Sequence, residues 1–458
     1  MNNLFSIGRK AIMVNDYRLN ITGQNIANVH TEGYSRQRVD QVSSDPKNQL
    51  GFQIGTGSEV SSILRVRDVQ LDNNFRRENT EFGYWKGVSD NLTQTENDFL
   101  EPSEAGLNNR LNVFFDKWEA VADNPTSIAD RDLLVESAVM LTDTFHKIDN
   151  SLNERREQIN KDLNRVRNEI NALSEQIAEL NGDIRQTELS GKQANDLRDK
   201  FDILVDQLSE YGSVRVQVKS GETVSVYFGS DEIVNHDTSR KLQSVSETDD
   251  GIEINKLVWE NTGREISALN GGLIEGLYHV RDDIIPGYKD KLDTLASEIV
   301  SQLNSIHNKG FNLGDPPTVG FDFFDSVNTD AGNISVNKSI LNDSKNIAAS
   351  KEGADGDNRT ALEIADLRLH SDIESSTFSD FNAQLLAKAG SDTANSKSMA
   401  EMQKAVSEQS NQFRESVKGV SMNEEAADLI KYQQAFQASA KIVQAAREII
   451  STVLSLIR

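Results

Sequence analysis

The sequence predicts a mainly α-helical protein with a small inserted β domain and paired terminal helices that form a coiled-coil domain. Three observations carry this. Apolar residues recur at three and four positions through most of the 458 residues, the period falls to two around 214–228, and both ends carry amphipathic stripes while the middle is more polar. The residues alone leave open whether the two ends pack on each other or against neighbouring copies.

Two adjacent stripes define the first helix, over 4–26: Leu4, Ile7, Ala11, Val14 and Ile21, beside Phe5, Gly8, Ile12, Leu19 and Ile26. Gly8 and Gly23 each cost about 1 kcal/mol relative to alanine in a helix interior, so this helix needs a partner to persist. The string HTEGYS at 30–35 breaks the pattern, with Gly33 supplying turn freedom, and the polar run 40–59 reads as loops and short strands. A first boundary falls near Ser62. From 66 to 211 the reading is helical, most clearly where Ile159, Leu163, Val166, Ile170, Leu173, Ile177, Leu180 and Ile184 alternate by three and four. The basic residues among them, Arg155, Arg156, Lys161, Arg165 and Arg167, read as a solvated face. Leu197, Phe201, Leu204 and Leu208 mark a further helix, stopped by Tyr211 and Gly212.

Val214, Val216 and Val218, a turn at Ser220 and Gly221, then Val224, Val226 and Phe228 form a β-hairpin pattern, which Ile252, Ile254, Leu257 and Trp259 extend. Helical spacing resumes at Ile284, Leu292, Leu295, Ile299, Leu303 and Ile306 and gives way to a Gly- and Pro-containing loop or small β element at 308–324. Helices return over 361–417 with a break expected near Gly390. A last helix of about 50 Å runs from Ser421 or Asn423 to Ile457, with Ser421 and Glu424 spaced as a capping box. Its stripes contain Leu429, Phe436, Val443, Ile450, Leu454 and Ile457 on one side and Tyr432, Ile442, Ile449 and Val453 on the other. Two neighbouring stripes suit more than one partner helix. The expected organisation is therefore 1–62 with 421–458 as a terminal helical assembly domain, 63–212 with 271–420 as a long-helix bundle, and 213–270 as the β domain.

Composition narrows the function. With 48 Lys and Arg against 72 Asp and Glu, a net charge of −24 opposes sequence-independent nucleic-acid binding. No cysteine is present, so disulfides and thiolate chemistry are excluded. The first twenty residues lack the pattern of a cleaved secretory signal, and no apolar run approaches the ~20 residues of a membrane span. None of the six His stands in an H-E-x-x-H pattern, and His307 reads as a hydrogen-bonding residue at a helix end. ADGDNR at 354–359 has the outline of a calcium loop, but Arg359 stands where a ligand is needed. GTGSEV from Gly55 lacks the third glycine of a dinucleotide fingerprint, and acidic pairs such as Glu424 with Glu425 or Asp282 with Asp283 read as chance. The expectation is no catalytic residue, no metal and no cofactor.

At 25–36, NIANVHTEGYSR resembles the A-N-x-x-T-x-G-Y pattern of flagellar axial proteins: Asn25, Ala27, Asn28, Thr31, Gly33 and Tyr34, continued by Ser35 and Arg36. That continuation is more similar to hook–filament junction proteins than to hook or rod proteins. VRVQVKSGETVSVYFGS at 214–230, GGLIEGLYHVRDD at 271–283, LNSIHNKGFNLG at 303–314, DNRTALEIADL at 357–367 and the segment 419–449 follow in the family's order. The middle is compact beside larger members, so an outer domain is reduced or missing.

The resemblance implies a structural protein without catalysis, exported unfolded through the flagellar type III apparatus to the outside of the cell. It implies helical self-assembly between the hook protein and the next hook-associated protein, and a dedicated export chaperone at the C-terminal region. It places the terminal helices on the inner tube, the bundle in the next shell and the β domain outermost. The assembly contacts are then expected from Leu4, Ile7, Ile12, Val14, Leu19, Ile26, Leu429, Tyr432, Phe436, Ile442, Val443, Ile449, Ile450, Val453, Leu454 and Ile457. Another axial component, such as the hook protein, or a secreted coiled-coil adhesin are the alternatives.

Overall fold

The computed structural model describes residues 2–49, 52–99, 106–218, 224–249, 251–370 and 373–456. It opens with α1 (Asn2–Ala27), which turns into β1 (Gln37–Ser43), β2 (Lys47–Gln49), β3 (Phe52–Ile54) and β4 (Ser58–Arg65). Helices α2 (Val69–Asp98), α3 (Leu107–Asp123), α4 (Ile128–Leu189) and α5 (Asn195–Leu208) follow. Then come β5 (Val214–Val218), β6 (Val224–Phe228), β7 (Asp231–Asn235), β8 (Thr238–Ser239), β9 (Leu242–Asp249) and β10 (Ile252–Trp259). A short α6 (Gly272–Tyr278) passes through a π-helical turn into α7 (Ile285–His307), and an irregular stretch holds α8 (Lys338–Asn342) and α9 (Arg359–Asp366). The last two helices are α10 (Phe378–Lys418) and α11 (Met422–Leu456).

The three-four row of the sequence lies in α4, a helix of 62 residues and so about 90 Å long. Ser127 caps its start, Oγ accepting from Asp130 N at 3.3 Å. Ile159, Leu163, Val166, Ile170 and Ile177 are all fully buried, in one core continuous from α2 to α10. Arg156 departs from the solvated-face reading: it is buried, donating to Arg281 O at 3.1 Å and Asp249 Oδ2 at 2.5 Å, whereas Lys161 and Arg165 are exposed. Charge alone does not say which residue of a basic run turns inward; a neighbouring carbonyl and carboxylate do.

Two expected stops move. The helix of Leu197 to Leu208 ends at Leu208, ahead of Tyr211 and Gly212. Gly212 instead serves packing, since a Cβ there would stand 2.8 Å from both Leu269 and Phe228. Nor does α10 break near Gly390. It runs unbroken for 41 residues because it lies along α2, where Thr393 Oγ1 reaches Leu92 O at 3.3 Å.

Strands β5 to β8 form one antiparallel sheet in sequence order, with Val216 opposite Val226, and β9 pairs with β10. The hairpin turn at Ser220 and Gly221 lies outside the described residues. This β region is laid along α4 by three asparagines. Asn160 Oδ1 accepts from Asn255 N at 3.0 Å, Asn171 exchanges two bonds with the backbone of Leu242 at 2.8 and 2.9 Å, and Asn181 Nδ2 donates to Val224 O at 2.6 Å. Each satisfies a backbone group that the strands leave unpaired against the helix. Nearer the N-terminus β1 pairs with β4 through Arg65, past the Ser62 boundary, while β2 and β3 form a separate ribbon whose Phe52 is 74% exposed.

Candidate assembly interface and its tether

Helices α1 and α11 lie antiparallel. Contacts run in opposite order along them: Gly8 against Val443, Asn15 Nδ2 to Ser439 Oγ at 3.4 Å, the Arg18 guanidinium 5.1 Å from the Tyr432 ring, and Asn25 Nδ2 to Glu425 Oε2 at 3.1 Å. Gly8 permits the approach, for a Cβ there would meet Val443 Cγ2 at 2.8 Å. Of the expected interface residues, Val14 is buried. Ile7, Ile12, Leu19, Ile26, Leu429, Tyr432, Phe436, Val443, Ile450 and Val453 are half-buried. Leu4, Ile442, Ile449 and Leu454 remain exposed, as do Phe5, Met13 and Ile430. Ile457 lies outside the described residues. Two helices alone cannot cover stripes this wide, so the pair presents apolar surface outward. Met13, Val14, Tyr17 and Ile21 also line a cleft of about 830 Å³ between α1, β4 and the start of α5.

The residues of the 25–36 motif do a different job from the stripes: they tie the pair to the body. Asn25 is 1% exposed and uses its whole amide. Nδ2 donates to Gln37 O at 2.9 Å and to Glu425, while Oδ1 accepts from Tyr34 OH at 2.9 Å and Gln37 N at 3.0 Å. Ala27 closes α1 on an exposed face, and Asn28 bridges Gln24 O at 2.9 Å and Thr31 Oγ1 at 3.1 Å. Gly33 is required twice, by a φ of 74° and by Ile203, whose Cδ1 would lie 2.3 Å from a Cβ. Ser35 donates through N and Oγ to Asp199 at 2.9 and 2.6 Å. Arg36 pairs with Glu424 at 2.9 Å and Glu425 at 2.6 Å, and its N–H bonds Lys418 O at 2.8 Å. The Glu424–Glu425 pair is therefore not incidental. The carboxylate that a capping box assigns to the Ser421 end of α11 is turned to Arg36 instead.

Burial, then the charges of Asp196, Asp199 and Glu425, push the Tyr34 hydroxyl well above its ordinary pKa, so it remains a donor to Asn25. Behind the motif lies a cluster that the sequence reading missed. Arg65 bonds Asp199 and Asp202, both at 2.8 Å. Arg67 bonds Asp72 at 2.6 Å and also Asp202, and Arg76 bonds Asp206 at 2.7 Å. Arg414, 4.0 Å over the Phe75 ring, bonds Asp206 at 2.5 Å. Burial alone would raise the Asp202 pKa, but the guanidiniums of Arg67, Arg65 and Arg76 outweigh it and hold the carboxyl below its ordinary value. The readable signal was the aspartate row 196, 199, 202, 206, a second stripe at helical spacing on α5.

Groups that could suggest chemistry are occupied structurally. His307 ends α7, its Nδ1 facing Phe321 O at 2.7 Å and its Nε2 accepting from Ala348 N at 2.9 Å; burial pushes its pKa down to about 4. In the 354–359 loop Asp357 accepts from Ser350 Oγ at 2.9 Å, Lys351 N at 2.7 Å and Arg359 Nε at 2.9 Å, so the guanidinium stands where a cation would. Among the described residues no group of three or more His, Asp or Glu is arranged to hold a metal, and no helix is long and apolar enough to cross a membrane.

A family model of the flagellar hook-associated protein FlgK helical domain matches residues 92–324, and one of the flagellar basal body rod FlgEFG protein C-terminal region matches 416–456. Flagellar hook-associated protein 1 of Bacillus subtilis is 28% identical, over 98% of this chain and 96% of its own. Its Escherichia coli counterpart is 23% identical over the whole of both chains. The solved structure of the flagellar hook junction protein FlgK from Burkholderia pseudomallei superimposes with a TM-score of 0.65 at 14% identity, covering 76% of this chain and all of that one. At that identity the likeness speaks for the fold alone. The first model spans just over half of the sequence, and the chain belongs to the FlgK family of flagellar hook-associated proteins.

Proposed function

We propose that this chain is a structural component of the bacterial flagellum that forms the junction between hook and filament by helical self-assembly. The observation that carries this reading is the α1/α11 pair, tied to a body with its own continuous core yet leaving Leu4, Ile442, Ile449 and Leu454 uncovered. Such surface is a liability in a free monomer and an asset in a tube of copies.

In this reading the domains divide as the sequence suggests: 1–62 with 421–458 toward the channel, 63–212 with 271–420 in the next shell, and 213–270 outermost. The partners are further copies, the hook protein on one side and the next hook-associated protein on the other. A chaperone covers the C-terminal region before export through the type III apparatus, and the protein works outside the cell without enzymatic activity. Electron microscopy of cells lacking the gene, with an assay of flagellin in the medium, tests this. Hooks without filaments and free flagellin are expected; missing hooks would place the protein lower in the axis, and normal filaments would refute the junction role. Removal of residues after Ser421 is expected to abolish chaperone binding, and retained affinity would overturn that part.

A further inference from the structure

The chain contains two Asn-Gly dipeptides, at 181–182 and 270–271, and the fold treats them oppositely. Asn181 is 2% exposed on the C-terminal part of α4, its Nδ2 held by Val224 O at 2.6 Å and His236 O at 2.5 Å. The Gly182 nitrogen is bound into the helical ladder there and is not free to react. Asn270 is exposed in the turn before α6, at φ 48°, and is followed by Gly271 at φ 107° and Gly272 at φ 85°. Its side-chain amide bonds no other described residue. The Gly271 N–H donates to Glu275 Oε2 at 2.5 Å.

We propose that Asn270–Gly271 is a self-modification site, at which Glu275 acts as general base while the Gly271 backbone nitrogen attacks the side-chain amide carbon of Asn270. The new bond joins Gly271 N to Asn270 Cγ. The proton leaving that nitrogen passes to the Glu275 carboxylate and then to the departing Nδ2, which leaves as ammonia when the Cγ–Nδ2 bond breaks. One water opens the resulting five-membered imide at either carbonyl, giving aspartate or isoaspartate. Each part has a physical basis: the nucleophile and carbonyl are adjacent in the chain, the base already touches the nitrogen, and Gly271 offers no Cβ to obstruct closure. The product places a new carboxylate near Glu275 and near Glu81, whose Oε1 would lie 3.6 Å from a Cβ at Gly271. In the isoaspartate form it also lengthens the backbone where the β region returns to α2.

The test is to age the full-length folded protein at neutral pH and follow tryptic peptides 265–281 and 168–185 by mass spectrometry. A one-unit mass gain, with split aspartate and isoaspartate peaks, is expected in 265–281 at a rate at least about tenfold above 168–185. Glu275→Gln is expected to slow it several-fold without moving the urea midpoint, and in urea the two sites should react alike. Equal rates in the folded protein, or a slower reaction at 265–281 folded than unfolded, would overturn the site. An unchanged rate in the Glu275→Gln protein would overturn the role of Glu275.

Discussion

Along α4, Ile159, Leu163, Val166 and Ile170 are fully buried, whereas on α11 Ile442, Ile449 and Leu454 stay 38–61% exposed at the same kind of helical spacing. The two helices carry similar patterns and differ in how many neighbours surround them. Around α4 stand α2, α3, α5, α7 and the β region; α11 has α1. An apolar stripe thus records that a helix needs partners, and only the fold says whether they lie in the same chain. At the seam between these regions the apolar pattern gives way to Asn25, Arg36 and the Arg–Asp cluster, which fix how the ends are held.

The largest expected effect lies in that cluster. Asp202→Asn leaves Arg65, Arg67 and Arg76 short of one buried counter-charge and is expected to cost about 3–5 kcal/mol, read as a lower urea midpoint. Because the Asp202 pKa is lowered in the folded state, its contribution is present above the ordinary carboxylate pKa and is lost as pH falls through the folded value. An unchanged midpoint would mean that the cluster does not hold the seam.

His307 probes the body alone. Its pKa moves from 6.5 to about 4 on folding, so between those values the unfolded chain binds the extra proton. Stability is complete above pH 6.5 and falls toward pH 4 by at most about 3 kcal/mol. His307→Gln is expected to flatten that slope in urea titrations between neutral and acid pH; an identical slope would reassign it.

Next in size is the tether. Asn25→Ala orphans Gln37 N and Tyr34 OH and is expected to cost about 1–3 kcal/mol. The loss should show as faster amide exchange in α1 and α11 with α4 unchanged, and an equal rise in both regions would erase the contrast between them. The smallest effect on the monomer belongs to Leu454→Ser, under about 0.5 kcal/mol because the side chain is already exposed. The same substitution is expected to impair self-assembly measured by light scattering, and normal assembly would remove Leu454 from the interface.

Much of this was legible in residue spacing. Period three-four located α1, α4, α5, α7 and α11, and period two located β5, β6 and β10, because each gathers its apolar residues on one face. Strand β9 was not, since Ser244, Ser246, Glu247 and Thr248 carry no alternating apolar face. The interface stripes were readable for the same reason as the helices. The tether was readable only as a resemblance, because hydrogen bonds such as Asn25 to Glu425, 400 residues apart, leave no local period. Arg156 and Gly390 misled because burial of a charge and tolerance of a glycine are decided by the facing element.

The central claim, a body with its own continuous core and ends that need further copies to cover them, is tested most directly by amide hydrogen exchange on the free monomer and on the assembled tube. Rapid exchange at 2–27 and 422–456 in the monomer, slow exchange along α4, and strong protection of both ends on assembly are the expected result. Ends as protected in the monomer as α4 would contradict it.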